Sequence, residues 1–332
     1  LSKTVAQLIK EEEEINLRPG SLVEYVGQKE VKEALSVAIE AARIRKKTID
    51  HVLIYGPPGM GKTTIANIIA NEMKSRLWRS SGPAITSPRD LATIVANLEE
   101  GDVLFIDEIH RLSHQAEEML YPAMEDFLLH LTIGKGPSAK AVEIPLAPFT
   151  LVGATIRAGL LTSPLRDRFG LVFRLNYYSL EEITLIVQRS AQIYGIPMEP
   201  EVALAIAQRS RGTPRIANRL LKRAVDYAIA RRNGALDLEA VQETFQMLKI
   251  DGLGLDEMDR KLLKTLAAKF NGGPLGVDTI CAVLGEDRDT VEDIYEPYLL
   301  QSGLLERTPR GRVITEKARK CLKLNEQEGL FE

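Results

Sequence analysis

The sequence predicts an α/β domain built on a parallel sheet with helices on both faces and a β-hairpin insertion, then a small all-α domain, then a winged helix. Three observations lead there. Apolar runs at 52–55, 103–106 and 149–154 alternate with helical periodicity, as strands joined by crossover helices do. After Tyr178 the strand signal stops, and residues 179–249 read as amphipathic helices near 181–194, 200–211, 214–232 and 237–249. Beyond the break Asp251-Gly252-Leu253-Gly254-Leu255, residues 256–323 read as three helices closed by a hairpin from Leu304 to Thr315, the winged form of the helix-turn-helix. The expected division is a tail at 1–16 and domains at 17–178, 179–251 and 252–332.

Composition sets the class. With 332 residues, 45% apolar and 27% charged, the chain has the make-up of an ordinary globular protein of two or three domains. Its formal net charge of −3 leaves no global field to hold nucleic acid, so any such contact needs a local basic patch. Cys281 and Cys321 lack metal-ligand spacing and read as two reduced thiols. No apolar run approaches the ~20 residues that cross a bilayer. The acidic stretch Glu11 to Glu14 is unlike a secretory signal, and the expected location is cytoplasmic.

The elements follow in order. Residues 29–47 show helical periodicity and end in the basic run Arg43 to Lys47, which suits a helix C-terminus. The apolar strand Val52 to Tyr55 then opens onto Gly56-Pro57-Pro58-Gly59-Met60-Gly61-Lys62-Thr63-Thr64, and Ile65 to Ala70 continues as a helix. A glycine-rich loop between strand and helix can turn its backbone N–H groups onto a triphosphate, and the helix dipole adds positive charge. This phosphate-binding loop makes the large domain an α/β P-loop NTPase: Lys62 can reach the β- and γ-phosphates, and the Thr63 hydroxyl can hold Mg²⁺ beside ATP.

Next, Val103-Leu104-Phe105-Ile106 ends in Asp107 and Glu108. Asp107 is placed for the Mg²⁺ shell and Glu108 for polarising the attacking water. His110, two residues on, reads more simply as part of a helix start. Positive charge on the transition state can come from Arg166 or Arg168 in Ser163 to Gly170, and Arg215 opens a helix of the all-α domain. Between them, His130-Leu131-Thr132-Ile133, Gly134-Lys135-Gly136-Pro137 and Ala141-Val142-Glu143-Ile144 form a hairpin pattern. Leu131, Ile133, Val142 and Ile144 suit either a partner surface or packing onto their own domain.

In the last domain, residues 286–296 hold six acids and one arginine, Arg288, whereas residues 307–323 hold seven Lys/Arg and one acid. The second segment includes the wing Arg307-Thr308-Pro309-Arg310-Gly311-Arg312. The wing, with Arg288, is therefore the better phosphate contact, giving weak sequence dependence and strong salt dependence. The plain alternative is a solvated basic turn on a protein-docking winged helix.

This set of motifs resembles the RuvB family, the bacterial Holliday-junction branch-migration motors of the AAA+ class. The resemblance runs from Leu17-Arg18-Pro19 into the terminal domain. It is carried by Asp107-Glu108-Ile109-His110-Arg111-Leu112, Tyr121-Pro122-Ala123-Met124-Glu125-Asp126-Phe127, the Ser163 to Gly170 segment and Glu296-Pro297-Tyr298-Leu299 with the wing. It implies an AAA+ large domain, a helical lid and a winged-helix head in a homohexameric ring that draws duplex DNA from four-way junctions. It also implies a RuvA-like partner docking on the hairpin near 131–146, and a RuvC-like resolvase acting on the same junction. The nucleotide contacts it implies are Leu17, Arg18, Tyr25, Val26, Gly59, Met60, Gly61, Lys62, Thr63, Thr64, Glu125, Asp126, Phe127, Tyr178, Pro214 and Arg215. Arg168 would be the finger acting on the neighbouring subunit's ATP. Arg288, Arg307 and Arg312, with Arg310 nearby, would contact DNA.

The chain departs from the family at one position. Where similar chains read Gly-Ala-Thr-Thr-Arg, this one reads Gly153-Ala154-Thr155-Ile156-Arg157. The second threonine is the first sensor of the γ-phosphate, and isoleucine has no hydrogen bond to offer, so slowed hydrolysis with intact binding is expected unless Thr155 substitutes. Two other functions fit part of the pattern. A clamp-loader-like ATPase would give no reason for the winged head. A nucleotide-gated DNA-binding switch fits Ile156, but not Glu108 together with Arg168.

Overall fold

The computed structural model describes residues 17–133 and 140–322, without the side chains of residues 131–133, 140 and 141. The expected tail at 1–16 and the hairpin tip Gly134 to Pro137 lie outside the described residues. The chain forms two compact units. Among the described residues, one runs to Ile186 and also takes Thr213–Arg215; the other holds Val187–Gly212 and everything from Ile216 onward.

The first unit is the α/β domain. Its elements are α1 (Lys29–Arg45), β1 (Val52–Tyr55), α2 (Lys62–Met73), β2 (Leu77–Ser81), α3 (Pro88–Ala96), β3 (Val103–Asp107), α4 (His114–Glu125), β4 (Leu128–Ile133), β5 (Lys140–Pro145), β6 (Thr150–Thr155), α5 (Ser163–Arg166) and β7 (Leu171–Arg174). Five strands form one parallel sheet in the order β2-β3-β6-β1-β7. The central strands are the apolar runs read from the sequence: all of β6 and the first three residues of β1 are buried, as a sheet covered on both faces requires.

The sequence reading missed β2 and β7, and both are the sheet's edges. Leu77-Trp78-Arg79-Ser80-Ser81 and Leu171-Val172-Phe173-Arg174 carry polar residues because one side of each has no neighbouring strand. Among the described residues, strands β4 and β5 pair only with each other. Ile144 packs against the large apolar core, which favours the packing alternative for that residue, and Val142 is half-buried. The side chains of Leu131 and Ile133 lie outside the described residues.

His51 ties this core together. Its Nε2 donates to the Met124 carbonyl at 3.0 Å, and Nδ1 accepts from Leu151 N–H at 2.9 Å, so the ring is a fixed neutral tautomer. It packs on Phe127 and Phe149 with centroids 6.3 and 5.6 Å away. Burial pushes its pKa down, against the raising pull of the Met124 carbonyl and Asp50.

The second unit holds most of the lid and the terminal domain. Helix α6 (Leu180–Ile193) runs into it, followed by α7 (Pro200–Gln208), α8 (Pro214–Arg231) and α9 (Leu238–Met247). Then come α10 (Glu257–Phe270), α11 (Val277–Leu284) and α12, made of Arg288–Thr290, a π turn at Val291–Tyr295 and Glu296–Gln301. The wing is β8 (Leu305–Thr308) paired antiparallel to β9 (Gly311–Ile314), and α13 (Glu316–Cys321) follows. A leucine-rich core joins α10, α11, α12 and the wing.

Arg211 fastens the lid helices to the terminal domain. Its Nε donates to Gly254 O at 2.8 Å, and its terminal nitrogen reaches Asp259 at 2.5 Å and Asp256 at 3.2 Å. The guanidinium also lies 4.9 Å from the Tyr298 ring centroid. Asp259 is fully buried; burial pushes its carboxyl up to about 6 against the lowering pull of Arg211. Tyr298 donates to Leu253 O at 2.5 Å, and Arg260 donates to Lys249 O at 2.6 Å.

Candidate functional site: a phosphate loop, its carboxylates and a basic wing

Parallel sheets present their loops at the carboxyl ends of the strands, and the candidate residues gather there. The loop leaves β1 with Gly56 N–H donating to Thr155 O at 3.2 Å, which ties it to the end of β6. Gly56 has φ +148°, and a Cβ there would lie 2.5 Å from the Leu175 carbonyl. Gly61 caps α2 at φ +97°, so the helix begins with Lys62, Thr63 and Thr64. These positive φ values turn the loop inward, the geometry a phosphate-binding nest needs.

Lys62 Nζ donates to Gly56 O at 2.7 Å and Pro57 O at 3.0 Å, lying across the loop it serves. Burial pushes its ammonium down to about 8; Asp107 pulls it up, and Arg215 adds to the fall. Arg215 N–H is 3.4 Å from Gly59 O, and a Cβ on Gly59 would lie 3.0 Å from Arg215 Cβ. Pro214 and Arg215 therefore sit against the loop, and Thr213–Arg215 belong to the large unit although the rest of α8 does not.

Tyr25 and Tyr178 close the other side. Their hydroxyls share a 2.9 Å hydrogen bond, and Tyr178 Oη lies 3.2 Å from Met60 O. Burial raises the pKa of both, that of Tyr178 to about 12, so both stay neutral phenols, Tyr25 accepting from Tyr178. Val26 and Leu17 are half-buried nearby in sequence, and Arg18 is exposed.

Asp107 ends β3, and its Oδ1 accepts the Glu108 N–H at 3.0 Å. Glu108 takes a left-handed φ of 48°, a conformation that costs a non-glycine residue on the order of 1 kcal/mol or more. Its side chain is half exposed and pairs with Arg111 at 3.1 Å. Gly82 underlies this turn, where a Cβ would lie 2.3 Å from the Glu108 carbonyl. Sequence reasoning missed Gly82, since nothing in its neighbourhood marks it.

Strand β6 lies between β3 and β1, so Ile156 leaves the sheet between the carboxylates and the loop. The preceding Thr155 is buried and already occupied: its Oγ1 is 3.0 Å from His110 Nδ1 and 3.2 Å from Arg157 O. His110 lies in a short 3₁₀ turn, Ile109–Arg111, consistent with the helix-start reading, yet it also joins the carboxylate strand to β6.

Glu125 and Arg168 form a second cluster. Arg168 reaches Glu125 at 3.2 Å, donates to Pro164 O at 2.7 Å and stacks over Tyr121 at 4.4 Å. Its buried Nε has no hydrogen-bond partner among the described residues. Tyr121 donates to the buried Glu117, which also accepts from Thr162. Among the described residues Arg166 makes one ion pair, with exposed Asp167 at 3.8 Å, and donates to Ser163 Oγ at 3.4 Å. Asp126 is exposed, while Phe127 packs against the core.

In the terminal domain the opposed charges of helix and wing meet. Glu296 is fully buried and holds Arg307 Nε at 2.9 Å and Arg312 Nε at 2.6 Å. Glu292 takes Arg312 at 2.7 Å and Arg288 at 3.4 Å. Arg312 is left 11% exposed and Arg307 41%, so Arg312 has little surface to offer a ligand. Arg310, at the wing tip, is exposed and makes no ion pair among the described residues.

This sheet order, loop and lid define a P-loop nucleoside triphosphatase with an AAA-type lid, a nucleotide-binding protein. Residues 17–175 match the Holliday junction DNA helicase RuvB P-loop domain, 178–251 the RuvB AAA lid domain and 252–323 the RuvB C-terminal winged helix domain. The chain belongs to the RuvB family. It is similar to the Thermotoga maritima RuvB Holliday junction branch migration motor, with 49% identity over 92% of this chain and 98% of that one and a TM-score of 0.84. A lysine-to-arginine mutant of the same protein matches over the same shares, again at 49% identity, with a TM-score of 0.85. No helix among the described residues is long and apolar enough to cross a membrane.

Proposed function

We propose that this protein is an ATP-driven motor that moves the branch point of Holliday junctions during recombination and repair, drawing duplex DNA as a homohexameric ring. The observation that carries the reading is the joining of a complete phosphate loop, paired carboxylates and Arg215 in one unit, in a family whose P-loop domain is that of a junction helicase. We divide it into an ATPase domain at 17–178, a lid at 179–251 and a DNA-binding head at 252–332.

In this reading Gly59 to Thr64 cradle the triphosphate and Lys62 leaves the Gly56 and Pro57 carbonyls for the β- and γ-phosphates. The donor set fits magnesium: one hydroxyl, Thr63, and one carboxylate, Asp107, leave the remaining positions to phosphate oxygens and water. Held by Thr63 and Asp107, the ion would supply positive charge to offset the negative charge developing on the triphosphate. Glu108 orients the attacking water and accepts its proton. Tyr25, Val26, Tyr178 and Pro214, with Leu17 and Arg18, enclose the nucleoside. Arg168 completes the site of the neighbouring subunit, and its pairing with Glu125 supports a role for Glu125 beside it.

The hairpin near 131–146 docks a RuvA-like junction-binding protein, and a RuvC-like resolvase acts on the same junction. The wing and Arg288 hold the duplex by its phosphates, with Arg310 the freest donor. That substrate places the protein in the cytoplasm.

Branch migration of a synthetic four-way junction by the purified chain with its partner tests the reading. Glu108→Gln should bind ATP yet lose roughly 10²–10⁴-fold in turnover, the usual size of a lost general base, and give no migration products. Equal products from that variant would leave a nucleotide-gated switch as the better account. Full activity in rings mixed with Arg168→Ala subunits would exclude a finger acting between subunits.

A further inference from the structure

The head's positive charge is unevenly spent. At the wing, Arg307 and Arg312 are held by Glu292 and Glu296, and Arg288 by Glu292 and Asp278. Helix α10 is different. Its outer face lines a groove of about 530 Å³ whose walls include Arg260, Lys261, Lys264, Thr265 and Lys269, with Glu257 the one acid among its lining residues. Glu257 is already taken by Lys249 at 2.8 Å, and Arg260 faces Asp251 at 3.4 Å. Lys261 meets only the Leu284 carbonyl, at 3.4 Å, and Lys264 and Lys269 have no ion-pair partner among the described residues.

We propose that this face of α10 is a second phosphate-backbone site for duplex DNA, separate from the wing. Lys261, Thr265 and Lys269 recur at i, i+4 and i+8, so they share one stripe, and Lys264 stands beside it. Eight residues of helix set Lys261 and Lys269 about 12 Å apart along the axis, which spans several phosphates of one strand. Lys261, Lys264 and Lys269 make no ion pair within 4.0 Å among the described residues, so an arriving phosphate breaks none, whereas Arg312 must exchange one. Lysine suits this role: a flexible point charge follows a backbone without reading bases. Thr265 adds a hydroxyl donor between the charges. The choice of DNA as ligand rests on the branch-migration reading.

The test is fluorescence anisotropy of a labelled duplex with the full chain over a KCl series. Each phosphate contact contributes about 0.9 to the slope of log affinity against log salt. The triple variant Lys261→Gln, Lys264→Gln, Lys269→Gln should flatten the slope by about 2–3 and weaken binding roughly tenfold or more near physiological salt. Arg310→Gln should remove about 1, additively with the triple. Lys264→Arg should keep the parent slope. A triple variant with parent affinity and slope means a merely solvated helix face and overturns the site alone. A parent chain that binds no duplex overturns the DNA reading with it. Inorganic phosphate should displace the duplex no better than KCl of equal ionic strength; preferential displacement would mark a free-anion pocket instead. Circular dichroism checks folding, and if the triple variant melts early, Lys264→Glu must still lower affinity or the site is rejected.

Discussion

Ile156 and His51 show how much one side chain decides in this ATPase. The Thr155 hydroxyl is committed to His110 and Arg157, so it cannot serve the γ-phosphate for its neighbour without giving up those contacts. Ile156→Thr should therefore raise steady-state ATP hydrolysis several-fold, in line with about 1 kcal/mol for a net hydrogen bond, while nucleotide affinity stays put; equal rates would mean that Ile156 is not at the sensor. His51 predicts an acid-side weakness. Its folded pKa lies below its ordinary 6.5, so the unfolded chain binds the proton first as pH falls. The stability it lends is whole above about 6.5 and is lost as pH drops toward the lowered value, at up to about 1.4 kcal/mol per pH unit. Urea unfolding between pH 7.5 and 5.5 should show a shallower decline in His51→Gln than in the parent. The motif residues were legible because phosphate binding needs glycines and lysine at a fixed spacing in a local segment. The His110–Thr155 contact joins residues 45 apart and left no local trace.

At the scale of elements, the wing and α12 hold each other through charge. The composition announced an acidic helix beside a basic wing, but not that Glu296 would be fully buried with both arginines on it. The π turn at Val291–Tyr295 contains Glu292 and leads directly into Glu296, and both carboxylates reach Arg312. Removing the Glu296 charge leaves the sequestered Arg312 short of a partner, which typically costs about 3–5 kcal/mol. Glu296→Gln should lower the thermal midpoint of the terminal domain by several degrees, whereas Glu306→Gln, on the exposed face of β8, should change it little. Equal midpoints for Glu296→Gln and the parent would show that the wing is held by its apolar core alone. Edge strands β2 and β7 escaped the sequence reading for a related reason. Their pattern reflects neighbours on one side only, which no periodicity rule sees.

Across the whole molecule, family, fold and lid agree on a motor, and the structure adds where its parts are fastened. Arg211 binds the lid to the head through Gly254, Asp256 and Asp259. Arg211→Ala would strand the buried Asp259 carboxylate, so we expect a loosened head, with DNA-independent ATP hydrolysis kept and junction movement lost. Limited proteolysis near Gly252 together with the migration assay would check this, and unchanged cleavage with full migration would count against it. Arg215, which touches the phosphate loop, follows Arg211 by four residues, a reach of at most about 14 Å of extended chain. The intervening Gly212-Thr213-Pro214 includes a proline of fixed φ, and Thr213 is buried. That leaves three residues, one of them of fixed φ, between the arginine at the phosphate loop and the arginine that holds Asp256 and Asp259.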